Sequence, residues 1–166
     1  MLNESYYLPN IRQNGVADFI QDEIVRNHNF NKVSEKSIGD FFLDQYTAVN
    51  IKTMDLSKNF HMPNLVSAKK AFDFLSNYDN KLLFLFVLYT KDGDYIKINN
   101  YFYKNIEELS STSIQAQGEG VLQLTKMEFR DQILRCDWIE EFKLKMKQFI
   151  AREEKKWASR KIYYAI

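Results

Sequence analysis

Eight consecutive apolar residues at 82–89 (LLFLFVLY) limit the fold more than any other stretch of the chain. The run is far too short to cross a bilayer, which takes about 20 residues. It is apolar at every position, not at every second one, so it reads as a strand buried on both faces. The spacing predicts a strand over 81–89, a turn at Lys91-Asp92-Gly93-Asp94, and a partner strand over 95–102 (YIKINNYF), where apolar and polar residues alternate.

The flanking segments sort into helices and shorter strands. Residues 15–27 (GVADFIQDEIVRN) place Val16, Phe19, Ile20 and Ile24 on one face at helical spacing, with Asp18, Asp22 and Glu23 on the rest. Residues 39–44 (GDFFLD) and 47–54 (TAVNIKTM) read as a β-hairpin turned at Gln45-Tyr46. Pro63 discourages helix at Met62, Asn64 is placed to cap, and a helix is predicted over 65–77. Residues 103–109 read as a helical turn, 110–120 as a polar loop or edge segment, and 121–124 as a last short strand. From Lys126 a helical stripe runs to nearly the end through Phe129, Ile133, Ile139, Phe142, Met146, Phe149 and Ile150. Residues 1–12 read as irregular. The expected class is α/β (α+β): a mixed central β-sheet flanked by helices, in one domain over 1–166.

Bulk charge narrows the functional classes. The net charge is +1, from 23 basic and 22 acidic side chains, so any nucleic-acid role needs a local basic face. Residues 126–166 carry 11 basic against 7 acidic residues, which suits a DNA-backbone cradle or, equally, a solvated or dimer-packing face. Cys136 is the one cysteine, so no intramolecular disulfide and no cysteine-based zinc site can form. It is expected in the core. The first 15 residues have neither a basic n-region nor an apolar run. A cytoplasmic protein with no membrane association is therefore expected.

The hairpin at 39–54 is where chemistry can be placed. Residues two apart on a strand share a face, so Asn50 and Lys52 point together, and antiparallel pairing brings Asp40 alongside them. Phosphodiester hydrolysis needs a hard cation, usually magnesium, an activated water, and positive charge at the transition state. Asp40, the side chain of Asn50 and the backbone carbonyl of Ile51 are candidate oxygen ligands. Lys52 can hold the attacking water or the phosphate. Glu23, on the preceding helix, is a further carboxylate that would reach the same place. On spacing alone the plainer reading, solvated polar residues on a sheet edge, is the better one.

The stretch that follows adds specificity. NIKTMDLSKNFHMPNLVSAKKAF resembles the active-site strand and DNA-contacting loop of type II restriction endonucleases of the PD-(D/E)XK superfamily, HincII-like members above all. The resemblance rests on Lys52-Thr53, Ser57-Lys58 and Pro63-Asn64-Leu65-Val66-Ser67-Ala68, with Gly39-Asp40-Phe41-Phe42 fitting the preceding strand. A fainter likeness runs from Ile114-Gln115 to Gln123-Leu124. It implies a magnesium-dependent endonuclease that cuts double-stranded DNA as a homodimer. Asp40 would be the catalytic aspartate, Asn50 would stand at the metal-binding acid and Lys52 would be the catalytic lysine. With the Ile51 carbonyl and Glu23 from the hairpin's own chemistry, the expected metal ligands are Asp40, Asn50, Ile51 and Glu23.

The same resemblance implies DNA contacts from Lys58, Asn59, Phe60, His61, Met62 and Asn64. An Asn amide suits adenine, to which it bonds bidentately. Lys69 and Lys70 suit phosphate contacts or an ordinary solvated helix face, and Gln115 and Gln117 suit base contacts or a plain surface loop. His61 is better placed as a loop residue or DNA contact than as a base. Two departures stand out. Asn50 occupies the position of a metal-binding carboxylate, and residues 60–62 differ from the family pattern. A sequence-specific DNA-binding protein with impaired catalysis, and a small interaction module with no nucleic-acid role, are the competing expectations.

Overall fold

The structure is a computed structural model that describes residues 2–28, 30, 37–59 and 63–164. Phe60, His61 and Met62 lie outside the described residues.

The order is β1 (Ser5–Tyr7), α1 (Gln13–Asn27), β2 (Phe41–Phe42), β3 (Thr47–Asp55), β4 (Asn64–Ser67), α2 (Ala68–Leu75), β5 (Lys81–Asp92), β6 (Tyr95–Asn105), β7 (Ile114–Ala116), β8 (Val121–Leu124) and α3 (Arg135–Tyr164). Five strands form a mixed sheet in the order β1-β6-β5-β3-β2. β3 and β5 run parallel; the other pairs are antiparallel. A second sheet has the order β4-β8-β7.

The apolar run lies in β5, interior to the large sheet, and its two faces feed two cores. Leu82, Phe84 and Phe86 point to one side, where they pack with Leu65, Ala71, Leu75, Leu122, Leu124, Trp138 and Phe142 from the second sheet, α2 and α3. Leu85 and Val87 point to the other, against Val16, Ile20 and Ile24 of α1. Cover on both sides is why the run is apolar at every position. β3 alternates in the same way. Ala48 and Met54 face the first core, and Val49 and Ile51 face α1.

Several expectations change. Residues 5–7, expected to be irregular, pair with β6 as β1. The strand expected over 39–44 shortens to Phe41–Phe42, which leaves Asp40 just before it. Residues 64–67 are strand, not the start of a helix. Pro63 favours extended backbone, the β-branched Val66 suits a strand, and Asn64 pairs across from Gln123. Ser67 takes the N-cap position of α2. Helix also begins only at Arg135. Before it, Phe129 is drawn between Phe86 and Phe102 with ring centroids at 5.7 Å, and the chain stays extended, bridged to Leu109. Arg135 then fastens the start of α3. It ion-pairs with the buried Glu107 and donates to the carbonyls of Asn80 (2.8 Å) and Leu75 (3.3 Å). Finally, Cys136 is exposed, because Trp138 and Phe142 take the core-facing positions of the first turns of α3. Among the described residues no helix is long and apolar enough to cross a membrane.

Candidate active site

β2 and β3 bring Asp40, Asn50 and Lys52 to one face. The register pairs Phe41 with Val49. Asp40 is one step further along and lies against the stretch of β3 from Val49 to Ile51. Its N–H donates to the Val49 carbonyl (2.7 Å), and its Oδ2 accepts the Ile51 N–H (2.6 Å). Ile51 is just past the end of the β2 ladder, so the carboxylate takes over a donor that a longer β2 would have satisfied. A strand residue points its N–H and C=O to the same side. The Ile51 carbonyl therefore faces the edge on which Asp40 sits.

Gly39 makes this approach possible. A Cβ there would lie 2.8 Å from the Val49 carbonyl oxygen and 3.1 Å from the Val49 nitrogen. Both are backbone atoms in a paired strand and cannot swing away. Gly39→Ala is expected to cost about 1–3 kcal/mol of stability and to displace Asp40. Urea unfolding measures the first effect, and loss of any metal-induced thermal stabilisation the second.

Asn50 donates its Nδ2 to the Ile38 carbonyl (3.2 Å), which turns Oδ1 the other way. Lys52 follows on the same face. Burial lowers its pKa from 10.5 to about 8, and the Asp40 carboxylate only partly restores it. A side chain that holds its charge this weakly near neutral pH is suited to proton transfer as well as to charge stabilisation.

The donor set fits magnesium in kind. Asp40, Asn50 Oδ1 and the Ile51 carbonyl offer hard oxygens, the ligand type magnesium takes. They bring only one formal negative charge. No group of three or more His, Cys, Asp or Glu side chains able to hold a metal occurs among the described residues.

The structure does not bring Glu23 to this cluster. It ion-pairs with Arg26 (2.7 Å) on α1, which packs on the face of the sheet that carries Val49 and Ile51. Asn50 and Lys52 alternate with those residues and project from the opposite face. Glu23→Ala is accordingly expected to leave the metal dependence of stability unchanged. Thermal melts with and without magnesium measure it; a lost response would place Glu23 in the site after all.

Among solved structures, the NlaIV restriction endonuclease aligns with 87% of this chain and 71% of its own, with a TM-score of 0.58 at 14% identity. The chain has a restriction-endonuclease-like fold. The ribosomal operon-associated A protein of Euglena longa is 29% identical over a match that covers 61% of this chain. The chain spans about a quarter (23%) of that relative's length. No family model matches it.

On this restriction-endonuclease-like fold the residues singled out for DNA contact separate into two groups. Asn64 and Gln115 come together on the second sheet through Gln123, which lies in the fainter likeness but is not among the residues named for DNA contact. Its signal was the polar position in VLQL, facing away from the core between two buried leucines. Lys58 and Asn59 lie on the exposed loop after β3, where the Lys58 N–H donates to the Asp55 carbonyl (3.4 Å). Lys69 is exposed on α2 and ion-pairs with Asp73. Gln117 sits at the β7–β8 turn, its N–H donating to the Val121 carbonyl (2.8 Å).

Proposed function

We propose that the chain is a magnesium-dependent endonuclease of the type II restriction class, HincII-like, that cleaves double-stranded DNA as a homodimer with one site per strand. The observation that carries this reading is the convergence of Asp40, Asn50 and Lys52 on one face of a restriction-endonuclease-like sheet. Asp40, Asn50 and the Ile51 carbonyl would hold the cation, which supplies Lewis-acid charge at a phosphate oxygen when bound. Asp40 is oriented for this by its bond from the Ile51 N–H. Lys52 holds the attacking water, and the neutral amine that its lowered pKa makes accessible takes that water's proton, an inexpensive exchange near neutral pH. The products would carry 5′-phosphate and 3′-hydroxyl ends.

One observation favours a second reading, a sequence-specific DNA-binding protein with impaired catalysis. The Asn50 amide is fitted to its place, donating to the Ile38 carbonyl, a bond that a carboxylate cannot make. Digestion of a long duplex DNA of known sequence with magnesium or manganese decides between them. Discrete fragments with mapped, recurring ends support the nuclease. A gel shift without cutting supports the second reading. No binding at low salt, with or without metal, removes both.

A further inference from the structure

We infer that Gln123 is a specificity-determining positioning residue: it fixes the amide of Asn64 in one orientation and joins it to Gln115 in a row that faces the base-pair edges. The inference rests on the DNA-binding reading above.

The row follows from strand register. Gln115 of β7 lies directly opposite Gln123 of β8, and Gln123 lies directly opposite Asn64 of β4. Neighbouring Ile114, Ala116, Leu122 and Leu124 are buried in the core, so Gln115 and Gln123 project from the other face of the small sheet. Gln115 Nε2 donates to Gln123 Oε1 (3.2 Å), and Gln123 Nε2 donates to Asn64 Oδ1 (3.3 Å). The row thus has one polarity. Asn64 is exposed, and with Oδ1 drawn toward Gln123 its Nδ2 is turned outward. Asn64 therefore presents a donor, matched to the acceptors that purine N7, guanine O6 and thymine O4 offer in the major groove.

Scale agrees with this use. Two inter-strand steps of about 4.8 Å span roughly 10 Å. Three successive base pairs rise only about 7 Å, so the row reaches from a first base pair to about the fourth, three steps of about 3.4 Å on. The small sheet packs, by the face opposite the amide row, on the side of the large sheet from which Asn50 and Lys52 project. Asn64 follows the end of β3 by nine residues in the chain. Three amides in register also hold one another in place, which lowers the ordering cost of recognition.

The test is selection from a randomised DNA duplex pool, with calcium in place of magnesium so that binding is read without cutting. Wild type, Gln123→Glu and Gln123→Met are compared, and urea midpoints check that all three are folded. A carboxylate at 123 only accepts. In Gln123→Glu the Asn64 amide must turn, donate to the new carboxylate, and present Oδ1 outward. The enriched base at that position is expected to change to cytosine, whose major-groove edge offers a donor and no acceptor, by about ten- to a hundredfold. Gln123→Met removes the bond without reversing it, so preference at that position should flatten. If wild type enriches a sequence and both variants enrich the same one equally, the inference is overturned while the DNA-binding reading stands. If wild type enriches nothing and binds no duplex at low salt, both fall.

Discussion

Lys52→Met is expected to reduce metal-dependent DNA cleavage by about 10²- to 10⁴-fold, the range for removing a positioned proton-transfer group. The same substitution should make the metal-free protein more stable at pH 7. Both outcomes follow from the lowered pKa of Lys52. The folded state disfavours the ammonium, because burial removes its water and the single nearby carboxylate, Asp40, restores only part of the loss. The unfolded chain binds that proton up to its ordinary pKa of 10.5, whereas the folded chain releases it near 8. Between these values the unfolded state holds more protons, so stability rises with pH across the window and is lowest below it. A half-buried Met has no charge to desolvate. It should gain on the order of 1–3 kcal/mol at pH 7, an advantage that shrinks as pH climbs past 8. Urea unfolding of both proteins at pH 7 and 9.5, beside plasmid cleavage with magnesium, measures all of this. A Lys52→Met protein that cuts normally, or that is less stable than wild type at pH 7, would remove Lys52 from the site.

Such a trade between stability and a buried cation explains what was legible in the sequence. Apolar periodicity reports burial, and burial decided most of the architecture. The run in β5, the face of α1, and the alternation in β3 and β6 all appear where the pattern put them. The hairpin that carries Asp40, Asn50 and Lys52 was legible for the same reason, since strand period alone places those residues together. The segments that were misread are those whose conformation is decided by a distant partner. Residues 64–67 have helix-compatible spacing, but β8, nearly sixty residues on, supplies hydrogen bonds that a helix start would have to find elsewhere. Residues 126–134 carry part of a helical stripe, yet Phe129 gains more between two phenylalanines of the large sheet than on a helix face. β1 was missed because three residues, with alternating exposure, earn their strand only by pairing with β6. The placement of Glu23 is the same kind of matter. A helix before the hairpin is evident in the sequence, but which face of the sheet it covers is not. Here it covers the face opposite Lys52.

Asn50→Asp is expected to exchange stability for metal affinity. In the metal-free protein the new carboxylate loses the bond to the Ile38 carbonyl (3.2 Å) and faces that carbonyl with negative charge. It also comes beside the Asp40 carboxylate, which is held in place by the Ile51 N–H. A loss of about 1–3 kcal/mol is expected, the cost of leaving a partly buried acceptor without a donor. A divalent cation reverses the sign. Two carboxylates and a carbonyl attract it far better than one carboxylate and two neutral oxygens, so affinity should rise by about tenfold or more. Because the cation binds only the folded state, thermal stability of Asn50→Asp should climb steeply with calcium or magnesium and cross that of wild type. Cleavage should rise in parallel wherever the Asn50 protein cuts slowly. Melting curves over a metal titration, with plasmid cleavage at each concentration, follow the two effects together. A variant with wild-type metal response would mean that position 50 faces no cation. The catalytic assignment would then lose the ligand on which it depends most.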